Sequence, residues 1–193
     1  YIDVVEVTGS NPVPPTKDIM SNLSNKLSKM AVLSFRNGLR LHFDSVTMYK
    51  NGSYATSLQL SILATEEFGK HASLSAYIFY DEGRTMKYES KQLLKHMGLL
   101  HRHTLKQSSF HGRDGLDPFN FLRLEITSSG KLETLKQKAT YVGLPRKGRL
   151  VDLKGRINNP ATISIKAARN QIRLVNDSLI TMAEGVVAGQ FEY

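Results

Sequence analysis

The apolar and polar positions of this chain repeat with a helical period over most of its length. From Ile19, the positions Leu23, Leu27, Met30, Leu33, Asn37, Leu41, Asp44 and Met48 follow one another in steps of three or four, the spacing of one helical face. Asn37 and Asp44 stand where a plain amphipathic helix would carry leucines, and Asn51-Gly52 supplies a stop. Ser53 is a candidate cap for a second helix with a buried series of Leu60, Leu63, Glu67, His71, Leu74 and Ile78, beside a stripe of Leu58, Ile62 and Glu66. After a break at Asp81-Glu82-Gly83, the pattern predicts a third helix over roughly 88–107, with Leu93, Met97 and Leu100 in its core and His96, Leu100 and His103 along one edge.

Beyond it, Gly, Pro and mixed charge over 108–130 predict a long loop that carries a short element at 119–126. A short fourth helix is predicted over 132–142, ending at Gly143, and the basic run over 146–156 reads as an exposed loop or hairpin. Asn159-Pro160 is expected to start the last helix, with Asn as cap and Pro in the first turn. Its stripe of Ile165, Ala168, Ile172, Val175, Leu179 and Met182 is a core or dimer seam. Residues 1–17 hold three prolines and a Gly-Ser-Asn cluster, so they read as a disordered or docked tail, with Met20 a candidate natural start. Residues 18–193 then form one domain. The fold class predicted is all-α, an antiparallel bundle of about five helices with a long loop between the third and fourth.

Composition narrows what such a bundle can do. The chain has 193 residues, no cysteine and a formal charge of +9. Without thiols there is neither a disulfide framework nor a thiolate metal site, and a reducing cytoplasm is the expected compartment. No stretch approaches the roughly 18 apolar residues of a membrane span, so no membrane partner is expected. The basic balance favours polyanionic partners such as RNA or an acidic protein, or serves solubility alone. P-loop, dinucleotide and Ser-His-Asp patterns are absent.

The segment from Asn37 to Lys70 resembles the abortive-infection protein V (AbiV) family. That family reads N-x-x-R-L-x-x-D-A, then G-x-Y-x-x-A, then L-A-x-E-E-x-G-K, and the matching positions here are Asn37, Arg40, Leu41, Asp44, Gly52, Tyr54, Glu66, Glu67, Gly69 and Lys70, with Ser45 and Ser57 where alanine is usual. His103 and Lys106 resemble its H-x-x-K, and Leu135-Lys136 with Tyr141-Val142 resemble its later pattern, Gly143 replacing an acid. The resemblance, which covers most of 25–183, implies a helical bundle of the HEPN type and a part in bacterial defence against phage. It further implies an effector that stops phage production, by binding a phage or host protein or ribosome-associated RNA and shutting down translation.

The chemistry expected of the chain rests on its inward-facing polar residues. Glu66 and Glu67 fall among leucines one turn before Lys70 and His71, where an unpaired charge would be costly, so partners from other helices are expected. Glu67, Lys70 and His103 are the candidate catalytic set, and Asn37, Arg40, Asp44, Glu66 and Lys106 the candidate binding set. The plain alternative is a structural polar knot. HEPN ribonucleases carry an Arg followed by four to six residues and then a His, and Arg36 with His42 fits that spacing, which makes a metal-independent ribonuclease the second functional reading. Six helical steps leave the two about 120° apart, so they would converge only across a kink or a dimer. Pairing of His101 with His103, or of His96 with Glu67, lacks metal-site spacing, so neither a metal nor a cofactor is assigned. A homodimer is the expected assembly.

Overall fold

The computed structural model describes residues 17–82, 97–98, 100–111, 129–147 and 150–187. The expected tail over 1–17 (apart from Lys17, which begins the first helix), the first part of the third helix with Leu93 and His96, and the element at 119–126 lie outside these residues. Within them the protein is an all-α bundle. Helix α1 spans Lys17–Lys50, α2 Tyr54–Glu82, α3 His103–His111, α4 Lys131–Thr140 and α5 Ile165–Val187. A two-residue hairpin, β1 Arg146–Lys147 and β2 Leu150–Val151, and a 3-10 turn at Pro160–Thr162 lie between α4 and α5. No helix is long and apolar enough to cross a membrane among the described residues.

Helix α2 is the axis, packed by α1, α3, α4 and α5 together, which is why it is buried around most of its circumference. Leu27, Ala31, Leu74, Tyr77 and Leu100 form one core cluster, Leu41, Ala64, Phe68, Phe110 and Val175 a second, and Leu58, Ile62, Leu132, Ala139 and Ala168 a third. All three draw on α2. The middle of the α5 stripe is therefore core within one chain: Ala168, Ile172 and Val175 are buried against α2 and its neighbours, while Ile165 is exposed.

The α1–α2 corner forms as its residues dictate. Gly52 has φ 77, Ser53 N–H donates to Met48 C=O at 2.9 Å and Gly52 N–H to Tyr49 C=O at 3.0 Å, a paired closure that needs a left-handed residue after the helix. The face of α1 turned to α2 differs from the apolar series, since it runs through Leu27, Ala31, Ser34, Gly38, Leu41 and Ser45, while Leu33 is 51% exposed. Small residues let the two backbones approach, and a count of hydrophobic positions passes over them. Gly38 shows the need: a Cβ there would lie 2.7 Å from the Phe68 ring.

Other boundaries moved for local reasons. The third helix is not continuous to Gln107: residues 100–102 are non-helical, and α3 starts at His103 and continues through the first residues of the expected loop. Asn159 does cap Pro160, accepting from Ala161 N–H at 3.0 Å, but it caps only the 3-10 turn. Ser164 accepts from Ala167 N–H at 3.2 Å and so starts α5 five residues later.

Candidate functional site

Three helices converge on one buried carboxylate. Glu66, in the middle of α2, is 3% exposed. His103 begins α3, and Lys106 and Gln107 follow one turn later, so all three point to the same side. Lys136 comes from α4. Glu66 Oε2 accepts from His103 Nδ1 at 2.8 Å, and Glu66 Oε1 from Gln107 Nε2 at 3.0 Å and Lys136 Nζ at 2.8 Å. Lys106 Nζ stands 3.5 Å from Oε2. Lys136 also lies 2.6 Å from Glu133 Oε2, one turn earlier on α4.

The close approach that assembles this cluster depends on Gly69. A Cβ at Gly69 would stand 1.6 Å from the carbonyl oxygen of Lys106, so only glycine lets the α3 backbone rest on α2. Glu66 lies one turn before that contact, within reach of the first turn of α3.

Burial alone would push the Glu66 carboxyl upward, but the ammonium of Lys136, the His103 imidazole and the Gln107 amide outweigh it and hold the carboxyl below its ordinary value. Burial would likewise lower Lys136, and Glu133 with Glu66 reverse this and raise it. The pair is therefore ionised. A carboxylate oxygen can only accept, so Nδ1 of His103 carries the proton toward Glu66 and Nε2 is the nitrogen left for other partners. The His103 side chain is half exposed. Lys136 Nζ, 3.3 Å from Nδ1, is then a neighbouring charge and not a donor to the ring.

Glu66, His103 and Glu133 also place ligand atoms within 4.8 Å of one another, the donor types of a metal site. The Lys136 ammonium lies among these atoms, so a divalent ion would have to displace it.

The expected site residues separate into four places. Glu67 does not meet His103 as the sequence suggested. It pairs with Lys70 on its own helix at 2.6 Å, and its neighbour Glu66 takes the inward position. Lys106 joins Glu66. Asn37, Arg40 and Asp44 do not reach the glutamates: Arg40 donates to Asn37 Oδ1 at 3.0 and 3.2 Å and to Asp44 at 3.0 Å along the outer side of α1. Arg36 is exposed, whereas His42 is 5% exposed and bonds Asn176 of α5 at 2.7 Å, so the R-x5-H pair does not converge within this chain. Asn176 Oδ1 accepts, which leaves the proton on His42 Nε2, and burial lowers the pKa of the ring. Lys136, Glu133, Gln107 and Asn176 were not singled out as site residues. For the first two, an i, i+3 acid–base pair on a short helix was the available signal, and Leu135-Lys136 was already among the residues that carry the resemblance.

The class of protein is an all-α bundle, consistent with a HEPN-like fold, in which a buried glutamate is tied to a half-exposed histidine and to lysines from two further helices. The chain belongs to the AbiV family of HEPN proteins, which it matches over residues 26–180. Membership points to abortive-infection defence against phage. Neither the curated proteins nor the solved structures contain a match to the chain.

Proposed function

We propose that this protein is a cytoplasmic phage-defence effector that binds a phage or host factor, or ribosome-associated RNA, and thereby shuts down translation and phage production. The outer side of α1 carries this reading. Lys26, Lys29, Arg36, Arg40 and Lys50 are exposed along it, Asp44 is the sole acid among the described side chains of the helix, and Val32, Leu33 and Phe43 are exposed between them. The family positions Asn37, Arg40 and Asp44 lie on this side, bonded to one another and turned away from the Glu66 cluster. A cationic stripe with apolar points suits a macromolecular partner of negative charge. A homodimer remains part of the proposal; because Ala168, Ile172 and Val175 of the α5 stripe are buried inside the monomer, the dimer contact would use another face.

A second reading, a metal-independent ribonuclease, is favoured by the His103 geometry. Glu66 orients the imidazole and Nε2 is available to take the proton of an RNA 2′-hydroxyl, with Lys106 and Lys136 close by. Incubating the purified full chain with total RNA, metal-free and with manganese, separates the two. The binding reading expects intact RNA, together with loss of phage protection in a plating assay when Arg36 and Arg40 are changed to Glu. RNA cleavage that disappears in His103→Ala, while His42→Ala and Glu67→Gln still cut, would establish the ribonuclease instead.

A further inference from the structure

Six large apolar side chains are exposed in the segment between α4 and α5. Tyr141 is 66% exposed, Val142 72%, Leu150 76%, Val151 51%, Leu153 81% and Ile157 65%. This is not a loose loop. Gly143 and Asn158 pair in an antiparallel bridge at its neck, and Asn158 Nδ2 donates to the carbonyls of Lys138 and Tyr141 at the end of α4. Arg146 pairs with Val151 and Lys147 with Leu150, and Asp152 N–H donates to Pro145 C=O at 2.8 Å. Gly155 packs so closely on Pro145 that a Cβ there would stand 2.3 Å from its ring. The neck and the strand pair are thus held by hydrogen bonds, while the aliphatic side chains beside them stand in water.

Successive residues of a strand point to opposite faces, so the exposure of both Leu150 and Val151 means that neither face of β2 is packed. A flat partner would cover one face only. A groove that receives β2 and the turn after it would cover both. The charge beside these side chains is basic: Lys154 and Arg156 are exposed, and Asp152, the acid of the segment, accepts from Lys154 N–H within its turn. A second copy of this chain, itself at +9, is poorly matched to such a surface. RNA would satisfy the cations and leave the leucines in water.

We propose that the described residues of this segment, 141–147 and 150–157, form a docking plug for a partner protein that offers an apolar groove rimmed by carboxylates. The proposal rests on the binding reading above and names the partner's chemistry. Leu150 and Leu153 enter the groove, and Lys154 and Arg156 meet its rim.

The test places a benzophenone amino acid at Leu153 of the full chain in phage-infected cells, with Thr134 on α4 as the control position. Light should join the Leu153 position, and not the Thr134 position, to one protein. That protein, once purified, should bind the unmodified chain with an affinity that falls at least about tenfold in Leu150→Ser/Leu153→Ser and in Lys154→Glu/Arg156→Glu. Thermal unfolding of these variants should match the parent, because the replaced side chains are exposed. Absence of an adduct, an adduct with RNA, lipid or a second copy of this chain, or undiminished affinity in both variants would overturn the plug. Phage protection that survives the hairpin changes but is lost in Arg36→Glu/Arg40→Glu would also defeat the plug while leaving the binding reading intact. His103-dependent RNA cleavage would instead remove that reading.

Discussion

Glu66 and Glu67 are one position and about 100° apart on α2, and that rotation gives them opposite roles. Glu66 is buried with four polar partners from α3 and α4, whereas Glu67 is partly exposed and pairs with Lys70 one turn away. Removing the Glu66 carboxylate takes the acceptor from Lys106, His103 and Gln107 and leaves Lys136 with Glu133 alone, so Glu66→Ala should cost about 3–5 kcal/mol in urea unfolding. Glu67→Ala should cost about 1 kcal/mol or less. Equal losses would contradict the separation. His42 makes a second residue-level prediction. Its folded pKa lies below the ordinary 6.5, so between the two values the unfolded chain holds a proton that the folded chain does not. Its contribution is complete above pH 6.5 and is lost as pH falls below that value. Glu66 acts in a lower window: its folded pKa lies below 4.5, so its contribution is present above 4.5 and lost as pH falls through the folded value. Unfolding measured across pH should lose stability first just below 6.5, and His42→Gln should flatten that first step alone. The sequence identified the glutamate pair and His103 as inward-facing polar groups. It could not choose between the glutamates, because periodicity gives an angle around α2 and four elements occupy its circumference.

Element boundaries were legible where the ending chemistry is local. Asn51-Gly52 closes α1 by bonds that span five residues, all visible in the sequence as a glycine after a helical run. The start of α3 at His103 was not legible, since the seating of α3 depends on the contact of Lys106 with Gly69, 37 positions earlier in the chain. That contact predicts a sharp difference between two glycines. In Gly69→Ala the obstacle is the backbone oxygen of Lys106, which cannot rotate away, so α3 must lift and carry His103, Lys106 and Gln107 off Glu66. The loss should exceed the roughly 1–3 kcal/mol of ordinary overpacking. In Gly38→Ala the obstacle is the Phe68 ring, held between Phe35 and Phe110 at centroid distances of 5.6 and 4.9 Å. A ring can shift by tenths of an ångström, so this loss should stay within about 1–3 kcal/mol. Urea unfolding of both variants checks the order. The histidine resonances should show His103 freed from Glu66 only in Gly69→Ala.

For the whole molecule, the bundle was legible because amphipathic period, helix stops and loop lengths all indicated the same architecture, while the distribution of charge was not, because pairing consumes some cations and leaves others. Lys106 and Lys136 are held by Glu66 inside, and Lys70 by Glu67. Lys26, Lys29, Arg36 and Lys50 remain exposed on one side of α1, with Arg40 shared between Asn37 and Asp44. If a polyanion binds there, each cation that neutralises a phosphate contributes to the salt dependence of binding, by about 0.7 in the slope of log K against log salt for a single strand. Reversing Arg36 and Arg40 to Glu should therefore lower the slope measured on ribosomal RNA by about 1–2. Reversing Lys131 and Lys138 on α4, both exposed, changes the net charge by the same amount away from the stripe and should leave the slope nearly unchanged. Equal effects from the two pairs would mean that binding follows total charge, and the α1 surface would lose its claim to be the contact. An unaltered slope in both would point to a neutral or protein partner, and with it to the hairpin and not α1 as the surface that recognises the target.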